Sequence, residues 1–266
     1  MASARPLPDF PYSPPIVKWR AGEPAPAFYA WRRVYPFLEP LLEWRDVILA
    51  EAMAIGGDGA AASLPDGGDT AASAPDGGTA AAAAAAPTPR FFDWPETSLY
   101  DGAGGATWRV LPFCHTFPAN DASKTTWLPT STAACPQTAA LLRRIPGLRT
   151  ALFSRMGPRT ELAPHSGWAD LSNHVLRVHM PLLLPGEGGG GGARACGITV
   201  GDAVQHHRMG NFIVFDDSKE HSAFNSHPHD TRYVLIFDLV RPPGLPPGKA
   251  TGATSEELQG FIDYFR

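Results

Sequence analysis

The segment LAPHSGWADLSNHVLRVHMP contains three histidines and an arginine, side-chain types that bind metals and anions in proteins. His165 lies in a loop-like PHSG sequence, whereas Arg177 and His179 lie within an apolar run that is typical of a strand. Alternate side chains of a strand share a face, so Arg177 and His179 lie on the face of Val175. Because a buried arginine or histidine needs partners, we predict that this face lines a binding site. A solvent-facing surface or an internal ion pair is the alternative for Arg177.

A second arginine opens the apolar run TRYVLIFDLV near the end of the chain. By the same alternation, Arg232 shares a face with Val234 and Ile236. The two arginines and His179 are therefore predicted to point into one cavity walled by β-strands. Arginine is suited to bidentate binding of a carboxylate, which makes an acid a plausible ligand. A salt bridge at the end of the strand is the alternative for Arg232.

The histidines also raise the question of a metal site. His221 follows the strand-like run NFIVFDD, and His165 lies in a separate loop. Mononuclear iron in double-sheet β folds commonly takes two histidines and one carboxylate, often as HxD or HxE plus a distant histidine. Here the loop reads His165-Ser166-Gly167, so glycine stands at the carboxylate position. Spacing alone therefore argues against a metal and favours a surface or packing role for the loop histidine. His206 and His207 are expected in a solvated loop or edge.

Composition excludes several classes of function. The chain has 266 residues and a net charge of −4, with no long basic run, so nucleic acid is not an expected partner. No apolar run is long enough to span a membrane. The three cysteines (Cys114, Cys135 and Cys196) lack CxxC spacing, which favours a reducing compartment over a disulfide framework. We expect a cytoplasmic protein, with organelle targeting as the alternative.

The elements that must position these residues are mostly short strands. Strand-like runs separated by turn signals occur at 108–113, 148–156, 174–184, 195–200, 211–217 and 232–240. Many short strands at this spacing indicate an all-β sandwich, jelly roll or barrel. The chain divides into a proline-rich arm (1–25), a helical N-terminal part of the domain (26–54), a disordered Ala/Gly/Pro/Asp insertion (55–89), the β domain (90–243) and a linker with a C-terminal helix (244–266). A short helix is expected at 135–147, and Thr254 with Glu257 forms a capping-box pattern.

Read in order, several of these segments resemble one known family. The run CPQTAALLRRIPG…ALFSRMGPRTELAPHSG…LRVHMPLLLP…GNFIVFDDSKEHSAFNS…TRYVLIFDLVRP is similar to the aspartyl/asparaginyl β-hydroxylases, which are 2-oxoglutarate-dependent oxygenases. The resemblance covers roughly Trp94 to Pro242, and FDDSKEHSAFN and LRVHMPLLLP are its most specific pieces. It implies a mainly β fold, a double-stranded β-helix (jelly-roll or cupin-like) core with flanking helices.

The resemblance also implies a set of site residues. Family members bind iron with two histidines and no carboxylate, which assigns His165 and His221 as metal ligands. Asp217 is then expected to hold the iron-bound water that replaces the carboxylate. The 2-oxoglutarate-binding positions of the family correspond to Ser154, Arg177, His179 and Arg232. A family tryptophan near the cosubstrate corresponds to Trp108 or Phe113, and His174 is expected to be structural.

The implied reaction uses Fe(II), 2-oxoglutarate and O₂ and releases succinate and CO₂ while an unactivated carbon is hydroxylated. The expected substrate is an aspartate or asparagine side chain of a peptide or protein; a proline side chain, a free amino acid and a lipid acyl chain are further possibilities. Two other functions stay open: a cupin-like metal protein without oxygenase activity, such as an isomerase or small-acid sensor, and a metal-free interaction module.

Overall fold

The computed structural model of the protein describes residues 6–11, 25–56, 89–100, 106–186, 194–252, 260 and 262–263. Most of the predicted arm, of the predicted insertion and of the predicted C-terminal helix with its capping box lies outside the described residues, so those predictions stay predictions. Within the described residues, no helix is both long enough and apolar enough to cross a bilayer.

Twelve strands and several short helices make up the described chain. They follow one another as β1 (Phe28–Tyr29), α1 (Trp31–Val34), a 3₁₀ helix (Pro36–Trp44), α2 (Arg45–Gly56), β2 (Phe92–Asp93), a 3₁₀ turn (Thr97–Leu99), β3 (Trp108–Thr116), a 3₁₀ turn (Ala122–Lys124), β4 (Thr125–Trp127), α3 (Pro129–Ala134), α4 (Pro136–Leu142), β5 (Leu148–Met156), β6 (Thr160–Glu161), α5 (Ala169–Ser172), β7 (Val175–Leu183), β8 (Cys196–Val200), β9 (Ala203–His206), β10 (Ile213–Phe215), β11 (His221–Asn225) and β12 (Arg232–Val240).

The strands form two antiparallel sheets. The larger sheet has the order β1-β10-β7-β12-β5-β3-β2, with β4 paired to β3, and the smaller sheet has the order β6-β11-β8-β9. Of the eight strands from β5 to β12, the larger sheet contains β5, β7, β10 and β12, and the smaller sheet contains β6, β8, β9 and β11. This division of eight strands between two sheets is the topology of a jelly roll, or double-stranded β-helix, and it confirms the predicted fold class.

The two faces of the larger sheet differ in what they contact. Leu176, Val178, Leu235 and Phe237 pack in the main hydrophobic cluster with the helices on the outer side of the sheet. The opposite, inward face of β7 and β12 carries Arg177, His179, Val234 and Ile236, and Arg232 also belongs to it. A second apolar cluster fills part of the space beside this face, with members from both sheets such as Met156, Ile198, Ile213 and Phe215. The predicted alternation along β7 and β12 is therefore confirmed, and it sends the polar side chains between the sheets.

The N-terminal helical region covers the outer face of the larger sheet. The predicted stripe of Phe37, Leu41, Trp44 and Ile48 is buried there. The segment begins as a 3₁₀ helix that contains Pro40 and becomes α-helical only at Arg45. Proline lacks the N–H that an α-helix interior requires, which accounts for the tighter first part. This layer fixes the sheet from behind and leaves its inner face for the site.

Candidate functional site

His165 and His221, distant in sequence, are brought together by backbone pairing. The N–H of His165 donates to the carbonyl of His221 over 2.9 Å, and the N–H of His221 donates back over 2.8 Å. This isolated bridge joins the PHSG loop to the first residue of β11. The two imidazole ring centres lie 4.4 Å apart. The pairing fixes both side chains on the same side of the two strands.

Hydrogen bonds also set the protonation of these two rings. The Nδ1 of His165 lies 2.8 Å from the carbonyl of Ala163, and the Nδ1 of His221 lies 2.8 Å from the carbonyl of Lys219. A carbonyl only accepts, so each Nδ1 carries a hydrogen and turns Nε2 into the nitrogen that is available to a ligand. Burial and the neighbouring His165 lower the pKa of His221 to about 3, so its ring is neutral. An imidazole with its lone pair on Nε2 is a donor that a transition metal accepts.

Asp217 occupies the space that the missing carboxylate of an HxD motif would need. A Cβ atom built on Gly167 would lie only 1.9 Å from the Oδ2 of Asp217. The Oδ1 of Asp217 lies 3.3 Å from the Nε2 of His221. Neither carboxylate oxygen has a hydrogen-bond partner among the described residues, although an ion pair to Arg177 is present. A lone pair facing a carboxylate oxygen is repulsive unless a proton or a cation lies between them, so these groups fit a metal.

The candidate metal ligands are few. Within the described ranges, no group of three or more histidine, cysteine, aspartate or glutamate side chains is arranged to hold a metal together. The donors available are therefore the two imidazoles, with Asp217 beside them. Burial raises the pKa of Asp217, and the neighbouring Arg177 opposes that effect. The three cysteines are buried free thiols.

Arg177 is held by two carboxylates. Its Nε and Nη2 donate to the two oxygens of Asp238 over 2.9 and 3.0 Å. Its Nη1 lies 2.6 Å from the Oδ1 of Asp217. Asp238 also accepts a short hydrogen bond from the hydroxyl of Thr150. The positive charge of Arg177 is thus offset inside the protein, which is the internal ion pair that the sequence left open.

Arg232 is buried without such compensation. Its side chain is 1% exposed, and its Nη2 donates to the hydroxyl of Ser154 over 3.1 Å. Its Nε and Nη1 are buried and have no partner among the described residues. Burial lowers the pKa of Arg232 to about 10. Because an unpaired buried charge is costly, this guanidinium is prepared for an anion that the cavity would contain.

Ser154 connects Arg232 to an aromatic wall. The hydroxyl of Ser154 also accepts a hydrogen bond from the indole Nε1 of Trp108 over 3.1 Å. Phe113, the other aromatic residue considered from the sequence, packs in the core against Phe153 with ring centres 4.9 Å apart. Of the two aromatic residues, Trp108 is therefore the one at the site.

His179 is buried in contact with a second histidine that the sequence did not identify. The Nδ1 of His179 lies 3.3 Å from the Nε2 of His207. The expectation of a solvated His207 is wrong, because His207 follows β9 next to Cys196 of β8 and its side chain is only 2% exposed. The backbone N–H of His207 donates to the carbonyl of Cys196 over 3.0 Å. Burial lowers the pKa of both rings well below the ordinary value for histidine, so both are neutral.

These side chains line one cavity between the sheets. It holds about 340 Å³ of empty space, part of it open to solvent, and lies between the paired histidines and Arg232. The polar residues at its wall are Ser154, His165, Arg177, His179, His221 and Arg232. The structure thus brings together in one place all the residues that were predicted to bind metal or cosubstrate, with Asp217 just outside.

An aromatic groove leads outward from this cavity. A second cavity of about 630 Å³ shares His165, Arg177 and Trp108 with the first one. A third, mostly apolar cavity of about 540 Å³ continues from it and shares Trp94 and Trp168. The ring of Trp94 stacks between those of Trp108 and Trp168, at 4.5 and 6.0 Å. The sequence gave no signal for Trp94 and Trp168, because they come from separate loops.

The fold and the site together define a jelly-roll protein in which two paired histidines and a buried, uncompensated arginine line one cavity. Comparison with known proteins gives the family. The family model described as "Aspartyl/Asparaginyl beta-hydroxylase" matches residues 79–242, more than half of the chain. The chain belongs to the aspartyl/asparaginyl β-hydroxylase family.

A curated relative and two solved structures are similar to parts of the chain. The ornithine lipid ester-linked acyl 2-hydroxylase of Rhizobium tropici is 40% identical over 109 residues, which are 41% of this chain and 36% of the relative. The chain thus matches little more than a third of that relative's length. A 2-oxoglutarate–Fe(II) oxygenase family protein from Burkholderia pseudomallei is 15% identical, with a TM-score of 0.37 over 55% of this chain and 74% of that one. A prolyl-4-hydroxylase from Pseudomonas putida is 12% identical, with a TM-score of 0.37 over 57% and 77%.

Proposed function

We propose that this protein is a dioxygenase that uses Fe(II) and 2-oxoglutarate to hydroxylate an unactivated carbon. One observation carries the proposal: the Nε2 atoms of His165 and His221 and the uncompensated charge of Arg232 belong to the same cavity. A metal ion and a small dianion are the two charges that this arrangement lacks. Membership of a hydroxylase family supports the same reaction.

In this proposal the protein's own residues bind and orient the reactants. His165 and His221 would hold Fe(II), which would supply the redox chemistry that couples O₂ to the decarboxylation of 2-oxoglutarate. Asp217 would accept a hydrogen bond from a water on the metal, in place of the carboxylate ligand of other two-histidine sites. The products are succinate, CO₂ and an alcohol, so one oxygen atom of O₂ enters succinate and the other enters the substrate.

The cosubstrate roles divide between the two arginines. Arg232 and Ser154 bind the far carboxylate of 2-oxoglutarate, because the unpaired N–H groups of Arg232 match a carboxylate. His179 donates a hydrogen bond to a cosubstrate carboxylate from the side wall of the cavity. Arg177 fixes Asp217, and its N–H groups outside the two ion pairs contribute to binding of the cosubstrate. Arg232 is thus the principal anion site and Arg177 the secondary one.

Two substrate classes are proposed. The first is the aspartate or asparagine side chain that the family description names. The second is an acyl chain, and the apolar groove favours it. Among the described residues that line the two outer cavities, the only arginine or lysine is Arg177, and two carboxylates already neutralise it. An aspartate substrate would find no free counter-charge there, whereas an aliphatic chain would be covered by Trp94, Trp168 and Leu171. The name of the Rhizobium relative points to the same class.

The alternatives to an oxygenase make different predictions. A small-acid sensor would bind 2-oxoglutarate at Arg232 and release no succinate. A metal-free interaction module would need neither Arg232 nor the two free Nε2 atoms in one cavity. The pairing of His165 and His221 in the cavity that Arg232 lines therefore supports the oxygenase over the module.

Succinate formation tests the proposal. Purified protein with Fe(II), ascorbate, O₂ and 2-oxoglutarate should form succinate, and the rate should rise with the right member of a panel of Asp/Asn peptides and long-chain acyl lipids. The stimulating substrate should gain one oxygen atom by mass spectrometry. His221→Ala should abolish succinate formation. His174→Ala is the matched control, since His174 lies ahead of β7 and is not among the described cavity residues. Wild-type protein that binds iron and forms no succinate with any of these substrates would contradict the proposal.

A further inference from the structure

The contact between His179 and His207 has two possible hydrogen arrangements. Their facing nitrogens, the Nδ1 of His179 and the Nε2 of His207, lie 3.3 Å apart. The ring planes are nearly parallel, with an angle of 6° and 5.6 Å between the ring centres, which allows a hydrogen bond between the facing nitrogens. Both rings are neutral, so each carries one hydrogen. One nitrogen of the facing pair must donate and the other must accept.

The two arrangements present opposite groups to the cavity. If His207 donates from its Nε2, the Nδ1 of His179 is an acceptor and the hydrogen of His179 lies on its Nε2. If His179 donates instead, its Nε2 is a bare lone pair. With its Nδ1 used by His207, only the Nε2 of His179 remains for a ligand in the cavity that it lines with Arg232 and Ser154.

The charges of the cavity select between the two arrangements. The cavity is prepared for an anion by the unpaired Nε and Nη1 of Arg232. An anionic oxygen accepts from an N–H and is repelled by a nitrogen lone pair. Moreover, the Nδ1 of His207 is buried without a partner among the described residues. In the first arrangement that atom is a bare acceptor, and in the second it would be an unpaired buried N–H.

We propose that His207 is a positioning residue that fixes His179 as an Nε2–H donor toward the carboxylate of the bound acid. This inference rests on the proposed function, because it takes 2-oxoglutarate as the acid. His207 acts through His179 and does not itself line the cavity among the described residues. Its own position is fixed by the backbone hydrogen bond to Cys196 and by the pairing of β8 with β9 next to it.

The test compares three substitutions at position 207 with one at position 206. His207→Ala and His207→Phe remove the donor, and His207→Phe also keeps a ring of similar size in the core. His207→Gln keeps a side-chain N–H at about the reach of Nε2. His206→Ala is the control, because His206 is the neighbouring histidine and has no hydrogen bond to His179. The affinity for 2-oxoglutarate is measured by anaerobic calorimetry on Fe(II)-loaded protein.

We expect the affinity for 2-oxoglutarate to fall when the N–H donor of residue 207 is removed, whether or not an aromatic ring remains there. His207→Ala and His207→Phe should weaken 2-oxoglutarate binding about tenfold, the loss expected for one hydrogen bond to a charged group. His207→Gln should stay within about threefold of wild type, since the restored N–H returns most of that hydrogen bond. His206→Ala should match wild type. Equal affinity in wild type, His207→Ala and His207→Phe would overturn the inference.

A spectroscopic readout checks the arrangement itself. In protein labelled with ¹⁵N-histidine, loaded with Zn(II) and saturated with 2-oxoglutarate, the imidazole nitrogens of His179 should show the hydrogen on Nε2. The hydrogen on Nδ1 would overturn the inference even if His207→Ala binds weakly. Failure of the wild type to bind 2-oxoglutarate would overturn both this inference and the proposed function. Binding and turnover with no dependence on His207 would overturn this inference alone.

Discussion

Arg177 and Arg232 lie on the same inward face of the larger sheet and line the same cavity, yet their surroundings are opposite. Arg177 is paired with the carboxylates of Asp217 and Asp238. Among the residues that the structure describes, Arg232 has a hydroxyl partner, Ser154, and two nitrogens without a partner. The charge of Arg177 is therefore neutralised within the protein, whereas the charge of Arg232 remains for a ligand to neutralise. A buried charge indicates a binding site only when the protein leaves it uncompensated.

The largest expected effect is the loss of stability on replacement of Arg177, whose charge two carboxylates neutralise. Arg177→Met should lower the free energy of unfolding by about 3–5 kcal/mol, because it leaves two buried carboxylates without a counter-charge. Chemical denaturation of the metal-free protein measures this loss. Arg109→Met is the matched control: Arg109 pairs with Asp93 on the surface, and an exposed pair contributes about 0–1 kcal/mol. Equal losses in the two variants would contradict the assignment of Arg177 as a structural ion-pair residue.

The loss in Arg177→Met should also depend on pH through Asp238. Burial raises the pKa of Asp238, while Arg177 and the Thr150 hydroxyl oppose that effect. Without Arg177 the folded-state pKa rises further above the unfolded value of about 3.9. A raised pKa means that the folded state takes up a proton, so stability is retained below about pH 4 and lost as the pH rises through the folded-state value. Denaturation from pH 4 to pH 8 should show the gap to wild type growing, and a gap that shrinks would contradict this account.

Replacement of Arg232, the uncompensated arginine, should lower the affinity for 2-oxoglutarate. Arg232→Met should weaken 2-oxoglutarate binding about 100-fold, because truncating a buried charge that pairs with a carboxylate costs about 2–5 kcal/mol. Calorimetry on Fe(II)-loaded protein without O₂ measures the affinity. In the kinetics, KM for 2-oxoglutarate should rise more than kcat falls. An unchanged affinity would remove Arg232 from the anion site.

Arg232→Met should not share the large loss of stability that is expected for Arg177→Met. In the absence of ligand, Arg232→Met should leave the free energy of unfolding unchanged or raise it by about 1 kcal/mol, because an unpaired buried charge is replaced by a side chain of similar volume that needs no partner. Thermal and chemical unfolding of the metal-free protein measure the change. A loss as large as that expected for Arg177→Met would mean that Arg232 has a structural partner.

The smallest expected effect is that of removing the indole N–H of Trp108. Trp108→Phe keeps the aromatic wall and removes only the hydrogen bond from Nε1 to Ser154. Such a bond contributes about 0.5–1.5 kcal/mol, so 2-oxoglutarate binding should weaken by about three- to tenfold. Phe113→Leu, in the core, should leave that affinity unchanged. Similar losses of affinity in both variants would point to a general packing effect.

Sequence alone predicts the parts of this comparison that follow from strand alternation. The period of two along β7 and β12 placed Arg177, His179 and Arg232 on one inward face, and the structure confirms it. It could not tell which arginine is compensated, because Asp217 comes from the segment ahead of β11 and reaches Arg177 only through the fold. Asp238 is on the inward face by the same alternation, so this partner was within reach of the pattern.

Other parts of the site depend on loops and long-range pairing. His207 is expected to be solvated from the sequence, but its backbone pairs with Cys196 at the end of the β8–β9 ladder and its side chain is buried. β11 is short and partly polar, so the strand that carries His221 gave no periodic signal. The spacing of His165, Ser166 and Gly167 argued against a metal. Only the family resemblance and then the close approach of Asp217 to Gly167 explain why glycine is needed there.

The central claim is that one small molecule connects the paired histidines to Arg232. Its most direct test is anaerobic calorimetric titration of 2-oxoglutarate into Fe(II)-treated wild-type, His221→Ala and Arg232→Met proteins. The account predicts one bound 2-oxoglutarate per wild-type chain and clearly weaker binding in each variant, since the cosubstrate contacts both ends of the cavity. Wild-type affinity in His221→Ala would contradict it, because the acid at Arg232 would then bind independently of the metal centre.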